Sequence, residues 1–417
     1  MRDEGVSFPL THSAHAWHSS YGKSGSASRT VNVEAGGLIL LRITARVPPL
    51  AAFSGRSDAG SGATMIVAFH SNQICLRGTE VALFDYAHFN ETLLGNRSIV
   101  LAKNNKVSIE DRAKGNHPLA LDKFRSRFLL YLYNDVPEID LILDRHHADV
   151  FYAIKKGLSD GIESRKRKTV VHAVFRHYEP HGDVYAYNSK WLSDCMTGGA
   201  APYVAHMINL PRVKGDLRER LRIPRDATVF ARYGGRNSFN LAFVHHTTAR
   251  VVKDHPKIYF LFMNTDRFVV HNNVYLRLLG KLNKIFGWKR NNRQIIFLPG
   301  SADMCEKALF INSADAMVHA SRRGETFGLA IGEFAAYNKP IITYSGKFGQ
   351  GHEKYGRAHL EILGSKCFLY DDSDQLERIF ADIHRNKEKL QRENWDTYTS
   401  LFAPETVMNK FREVFLT

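Results

Sequence analysis

Two carboxylates eight positions apart are the residues best placed by type and spacing to do chemistry. Glu325 and Glu333 lie in Ser321-Arg322-Arg323-Gly324-Glu325-Thr326-Phe327-Gly328-Leu329-Ala330-Ile331-Gly332-Glu333. The apolar run 316–318 ahead of this segment reads as a strand, the Gly-containing stretch as a loop, and 329–337 as a helix. A helix start presents free backbone N–H groups and a partial positive charge, which suits a phosphate. Glu325 falls in the loop before that start, and Glu333 a turn or so inside the helix. The pair is therefore expected to border one site at two depths. A deep carboxylate can accept both hydrogen bonds of a ribose diol; one at the loop can meet a sugar hydroxyl or a developing positive charge. Isolated glutamates are ordinarily solvent-facing; it is the strand–loop–helix setting that makes these two candidates.

A second element, Val229-Phe230-Ala231-Arg232-Tyr233-Gly234-Gly235-Arg236, reads as a strand ending in a basic, Gly-containing turn. A guanidinium in this turn, beside Gly234 and Gly235, can clamp phosphate oxygens bidentately, which makes Arg236 a candidate. Arg236 is either a second cation or a turn residue, and both readings stand. A third element, Ser71 to Glu80, follows the first strand and contains Gly78, where the backbone can approach an anion closely. His146-His147 and His245-His246 lack a matching ligand set, and His352-Glu353 lacks the second histidine of a zinc helix. Asp371-Asp372-Ser373-Asp374 reads as a helix N-cap region. No metal is assigned.

The elements that must position these residues alternate between strand and helix. Strands are expected at 65–69, 98–102, 129–133, 169–175 and 184–187, with helices at 81–93, 119–128, 149–157 and 190–196. The pattern restarts after 210–216: a short helix at 216–221, strands at 228–231, 258–263, 295–298, 316–318, 341–343 and 368–370, and helices between and after them, the last at 405–415. Alternating apolar strands and helices indicate parallel sheets covered on both faces. The 417 residues suit two domains. Residues 65–211 are expected to form the first, 212–403 the second, and 404–417 a helix returning to the first. Residues 1–64 are rich in Gly, Ser, Ala and Arg and read as a disordered or non-native extension, with an organelle transit peptide as the competing reading.

Composition narrows the class. A 44% hydrophobic content excludes general disorder, and no apolar run reaches the ~20 residues of a spanning helix. The four scattered cysteines, Cys75, Cys195, Cys305 and Cys367, form no zinc spacing and suit a reducing, cytoplasmic setting. The formal charge is +15, of which +11 falls in residues 212–417. An anionic partner is therefore expected in the second half. The basic runs 165–168 and 274–293 read as a solvated loop and a basic sheet-covering helix, the latter with peripheral contact to an anionic membrane as its second reading.

The Glu-x7-Glu segment resembles the signature of group-1 (family 4-like) retaining glycosyltransferases of the GT-B fold. So do the flanking Val318-His319-Ala320-Ser321 and Ala335-Ala336-Tyr337-Asn338-Lys339-Pro340, with Asn338 where that family has Gly. The resemblance runs in order from 65 to 417. It implies an α/β architecture of two Rossmann-like doubly wound domains facing across a cleft, with a C-terminal helix packing back on the N-terminal domain. Glu325 would lie beside the donor sugar and Glu333 on the nucleotide ribose. Thr326, Phe327, Gly328 and Leu329 would give backbone contacts to sugar and diphosphate. Arg232 would grip the diphosphate, although Asn237 or Ser238 stands where the family has a helping Lys. Gly78 would match the family's Gly-Gly-x-Glu loop, with Arg77 for the first Gly. His172 would match a histidine near the reacting sugar, against the reading of it as a satisfied structural residue. The implied activity is metal-independent transfer from a nucleotide-diphosphate sugar to a saccharide, lipid or protein-linked acceptor, with no further cofactor. A nucleotide-sugar epimerase of the same fold and a basic nucleic-acid-binding protein are the competing readings; no nucleic-acid module is recognised.

Overall fold

A computed structural model describes residues 64–108, 115–268, 293–347 and 356–417. The expected N-terminal extension, but for Thr64, and the basic stretch 274–293, but for Arg293, lie outside them.

The first sheet holds β1 (Ile66–Ser71), β2 (Arg97–Lys103), β3 (Leu129–Tyr133), β4 (Val150–Lys155), β5 (Lys168–Ala173) and β6 (Val184–Tyr187), in the order β3-β2-β1-β4-β5-β6. Every pairing is parallel; Ala68 stands opposite Ile99 on one side and Phe151 on the other. Side chains alternate between two buried faces. Phe69, Val100, Tyr152 and Val170 enter one core, and Ala68, Leu101, Phe151 and Ala153 the other. Residues 149–157, expected as a helix, contain β4 instead. A strand covered on both faces is apolar without alternation, so its sequence has no period to separate it from a buried helix.

The second sheet repeats the plan with β7 (Thr228–Arg232), β8 (Ile258–Met263), β9 (Ile295–Leu298), β10 (Ala316–His319), β12 (Ile341–Tyr344) and β14 (Phe368–Tyr370), in the order β14-β12-β10-β7-β8-β9. Two short strands, β11 (Gly324–Glu325) and β13 (Gly356–Arg357), pair apart from it. Residues 216–221, expected as a helix, form turns. Arg222 adopts φ +55° and Pro224 follows; the N–H groups of Leu221, Arg222 and Ile223 bond the carbonyls of Leu217, Glu219 and Arg218, a spacing that changes at each step, so no helical ladder forms.

The helix Ser373–Leu390 is capped by Asp372, whose side chain accepts from the N–H groups of Asp374 and Gln375, and it covers the second sheet through Leu376, Phe380 and Ile383. The chain then crosses back. Ile208 N–H donates to the Phe402 carbonyl at 2.9 Å. The helix Pro404–Phe411 and the turn Arg412–Leu416 insert Val407, Met408, Phe411 and Phe415 into the first core. Each such side chain contributes about 1.5–3 kcal/mol on burial, so the last segment is part of the first domain's core.

Candidate active site

The site forms where loops leave the carboxyl ends of both sheets, the position at which this architecture leaves a crevice. From β10 the chain turns through Ala320–Arg323 into β11, which carries Glu325. Its partner β13 approaches so closely that a Cβ on Gly356 would lie 2.6 Å from the Glu325 carbonyl oxygen. Gly328, at φ +89°, then opens the helix Leu329–Ala336. The Glu325 side chain is one-third exposed, and its Oε1 lies 3.1 Å from His319 Nε2. Behind it, His319 Nδ1 meets Thr343 Oγ1 at 2.8 Å, and the same hydroxyl lies 3.3 Å from His359 Nε2. Burial holds the His359 imidazole well below its ordinary pKa, in the neutral form.

The next two residues reach the other domain. Thr326 Oγ1 donates to the Val174 carbonyl at 2.8 Å and accepts from Asn188 Nδ2 at 3.4 Å. The Phe327 ring packs on His206, Tyr398 and Phe402 at 5.4, 5.9 and 5.0 Å. His206 is buried and kept neutral by its burial. Tyr86 Oη donates to the Ala205 carbonyl, so it accepts from His206 Nδ1; Asn188 Nδ2 then donates to His206 Nε2. Sequence reasoning missed His206 and Asn188, since neither lies in a recognisable motif.

His172 stands directly behind this junction, its ring 5.7 Å from that of His206. The residue is fully buried; Nε2 donates to the Val204 carbonyl at 2.9 Å and Nδ1 meets Tyr152 Oη at 2.5 Å. Both ring nitrogens are spent on the fold, and burial pushes the pKa down to about 4.

Arg232 ends β7 almost fully buried. It donates to Thr265 Oγ1, to the Gly235 carbonyl at 2.8 Å and to Ser238 Oγ. Gly234, at φ +149°, leaves room for the guanidinium: a Cβ there would lie 3.1 Å from Arg232 Nη2. Burial pushes the Arg232 pKa down to about 10, opposed by the nearby charges of Glu325 and Asp266, so the guanidinium stays protonated at neutral pH. Ser238, standing where a Lys was expected, buttresses Arg232. Arg236 shares its charge with Asp266 at 2.6 Å.

Glu333 is buried, accepts from Tyr233 Oη and has its pKa raised by that burial, with Lys307 and Lys123 countering. Across the interface stands Asp85, pushed up to about 7 by burial. Leu329 Cδ2 lies 3.7 Å from where a Gly78 Cβ would be, so the starts of the helices Gly78–Thr92 and Leu329–Ala336 face each other. A narrow cavity between the domains is lined by Cys75, Glu80, Lys123, Ser301 and Lys307. Glu80 accepts from Ser71 Oγ and Cys75 Sγ, both at 2.9 Å, and burial pushes it up to about 7. Among the described residues no group of three or more His, Cys, Asp or Glu is placed to hold a metal ion, and no helix is long and apolar enough to cross a membrane.

Two parallel six-stranded sheets, a cleft at their carboxyl ends and a returning C-terminal helix make this the GT-B fold. Solved structures share it. HepE of Anabaena in complex with UDP-glucose superposes with a TM-score of 0.61 over 84% of this chain and 98% of its own, at 15% identity. A glycosyltransferase from Rickettsia africae gives 0.57 over 85% and 98%, at 11% identity. A Listeria monocytogenes protein assigned as a UDP-N-acetylglucosamine 2-epimerase gives 0.53 over 84% and 97%, at 11% identity. By sequence, the chain matches no protein-family model and no curated protein. At these identities the likeness is one of fold.

Proposed function

We propose that the chain is a glycosyltransferase that moves a sugar from a nucleotide-diphosphate donor to a saccharide, lipid or protein-linked acceptor, with retention of anomeric configuration and without a metal ion. The observation that carries this reading is the convergence of Glu325, buried Arg232 and the helix start at Gly328–Leu329 on one cleft. HepE, whose fold this chain shares, was crystallised with UDP-glucose.

The roles follow from charge. As the glycosidic bond breaks, the leaving diphosphate gains negative charge, which Arg232 and the backbone N–H groups of residues 327–329 stabilise. The anomeric carbon gains positive character, and Glu325 is the carboxylate at hand. Glu333, held by Tyr233, takes the ribose diol. Gly78 lets the facing helix start approach the phosphates. Arg236, tied to Asp266, contributes at longer range. The charge surplus of residues 212–417 suits a cytoplasmic enzyme with peripheral contact to an anionic membrane.

Incubation with UDP-glucose and a panel of other nucleotide-diphosphate sugars tests the proposal. A stabilising donor raises the melting temperature with the logarithm of its concentration, and acceptor-dependent release of nucleoside diphosphate identifies transfer. Conversion of the donor to an epimeric nucleotide sugar without any acceptor would instead assign the epimerase activity, a reading that the Listeria fold relative keeps in play.

A further inference from the structure

We propose that residues 174–191 carry an aromatic shelf that binds the sugar rings of the acceptor, so that the acceptor presents a saccharide at the cleft. Its role in transfer rests on the glycosyltransferase reading above. The shelf begins one residue beyond the Val174 carbonyl that Thr326 holds at 2.8 Å, next in sequence to Glu325. Phe175 is 48% exposed and Tyr178 50%. Among the described residues, all other large hydrophobic side chains left this exposed are Leu or Val; the aromatic ones are these two, on one loop. Leaving such rings in water forgoes the large hydrophobic gain of burying them, so two of them on the short loop that follows Val174 call for a ligand.

The loop is braced. Tyr185 Oη lies 2.8 and 3.1 Å from the Gly157 and His177 carbonyls, which share its one proton, and Tyr187 Oη donates to the His177 carbonyl at 2.7 Å. Tyr178 meets Tyr185 edge-on at 5.9 Å. The Arg176 guanidinium lies 5.8 Å over the half-buried Trp191 ring. Tyr178, held in this way, presents a flat apolar face at low entropic cost, with Phe175 on the same braced loop. The C–H faces of a pyranose fit such rings, while its hydroxyls need both donors and acceptors around them. Residues 174–183 supply both, with Arg176 and the histidines His177 and His181 set against Glu179 and Asp183. An anionic membrane would call for a cationic excess, which this loop lacks.

The test uses the full chain, the exposed double variant Phe175→Ala/Tyr178→Ala, and maltotriose, cellotriose and chitotriose as probes in saturation-transfer NMR. The expected result is transfer to at least one trisaccharide, weakened by about tenfold in affinity in the variant, or roughly one such ring contact, with the thermal shift by UDP-glucose unchanged. Absence of transfer to all three sugars, or equal binding by the variant, would overturn the shelf. So would sedimentation of the wild type, but not the variant, with vesicles of phosphatidylcholine and phosphatidylglycerol, which would assign the rings to a lipid surface. Trisaccharide binding lost in the variant, together with no stabilisation by any nucleotide sugar, would uphold the shelf and sink the transferase reading instead.

Discussion

Thr326 Oγ1 donates to the Val174 carbonyl at 2.8 Å, a bond between the loop that carries Glu325 and the domain opposite. The site is thereby assembled from both halves of the chain, and its geometry depends on how they meet. Thr326→Val keeps the shape and removes the hydroxyl, leaving a carbonyl without its partner at a cost of about 1–3 kcal/mol. We expect turnover, measured as release of nucleoside diphosphate, to fall about tenfold, with Thr326→Ser close to wild type.

Glu325→Gln removes the carboxylate charge while keeping its shape. Turnover should drop by ~10²–10³, the usual effect of losing a preorganised electrostatic group. The melting temperature should stay near that of wild type, because the side chain is one-third exposed. Arg232→Ala should be as inactive and also less stable, since Thr265 and Ser238 lose a buried partner. Near-normal turnover in either variant would sink the site assignment.

Gly356→Ala tests whether the short β11–β13 pair positions Glu325. Its Cβ would press on the Glu325 backbone from 2.6 Å, a distance that forces a shift. The predicted pattern is a fall in kcat with a small change in melting temperature, because the pair lies apart from the main sheet.

Glu80 titrates near pH 7 in the folded chain and near 4.5 when exposed. Between these values only the folded state holds the proton, so this stabilisation is lost as pH rises through about 7. His172, lowered to about 4, acts in the opposite sense: its stabilisation is present above its ordinary 6.5 and lost as pH falls. A comparison of wild type with Glu80→Gln isolates the first effect. The wild type should lose roughly 1–3 kcal/mol relative to the variant between pH 5 and pH 8, read from denaturant midpoints; a constant difference would contradict the assignment.

Much of the architecture was legible because apolar strands and capped helices announce themselves locally. The Asp372 cap and the strand–loop–helix around Glu325 are local signals, and both lie where expected. The strand β4 was misread because Val150–Lys155 is buried on both faces and shows no alternation. His172 and His206 illustrate a deeper limit. Each follows apolar residues, and nothing local tells which ring is consumed by Tyr152 and Val204 and which stands against Phe327. Contacts such as Thr326–Val174 or Tyr233–Glu333 join distant positions and leave no spacing to read.

The return of the chain to the first domain also bears on how the protein is made. Phe411 stacks on Phe69 and Tyr86 at 6.1 and 5.3 Å, and Phe415 meets Tyr152 at 5.4 Å. Strands β1 to β6 emerge from the ribosome early, yet this side of their core stays open until those two rings have been synthesised. Completion of the amino half therefore waits on residues made far later in the chain, a long-range closure of the kind that folds slowly. During the interval its uncovered apolar face is a natural substrate for chaperones.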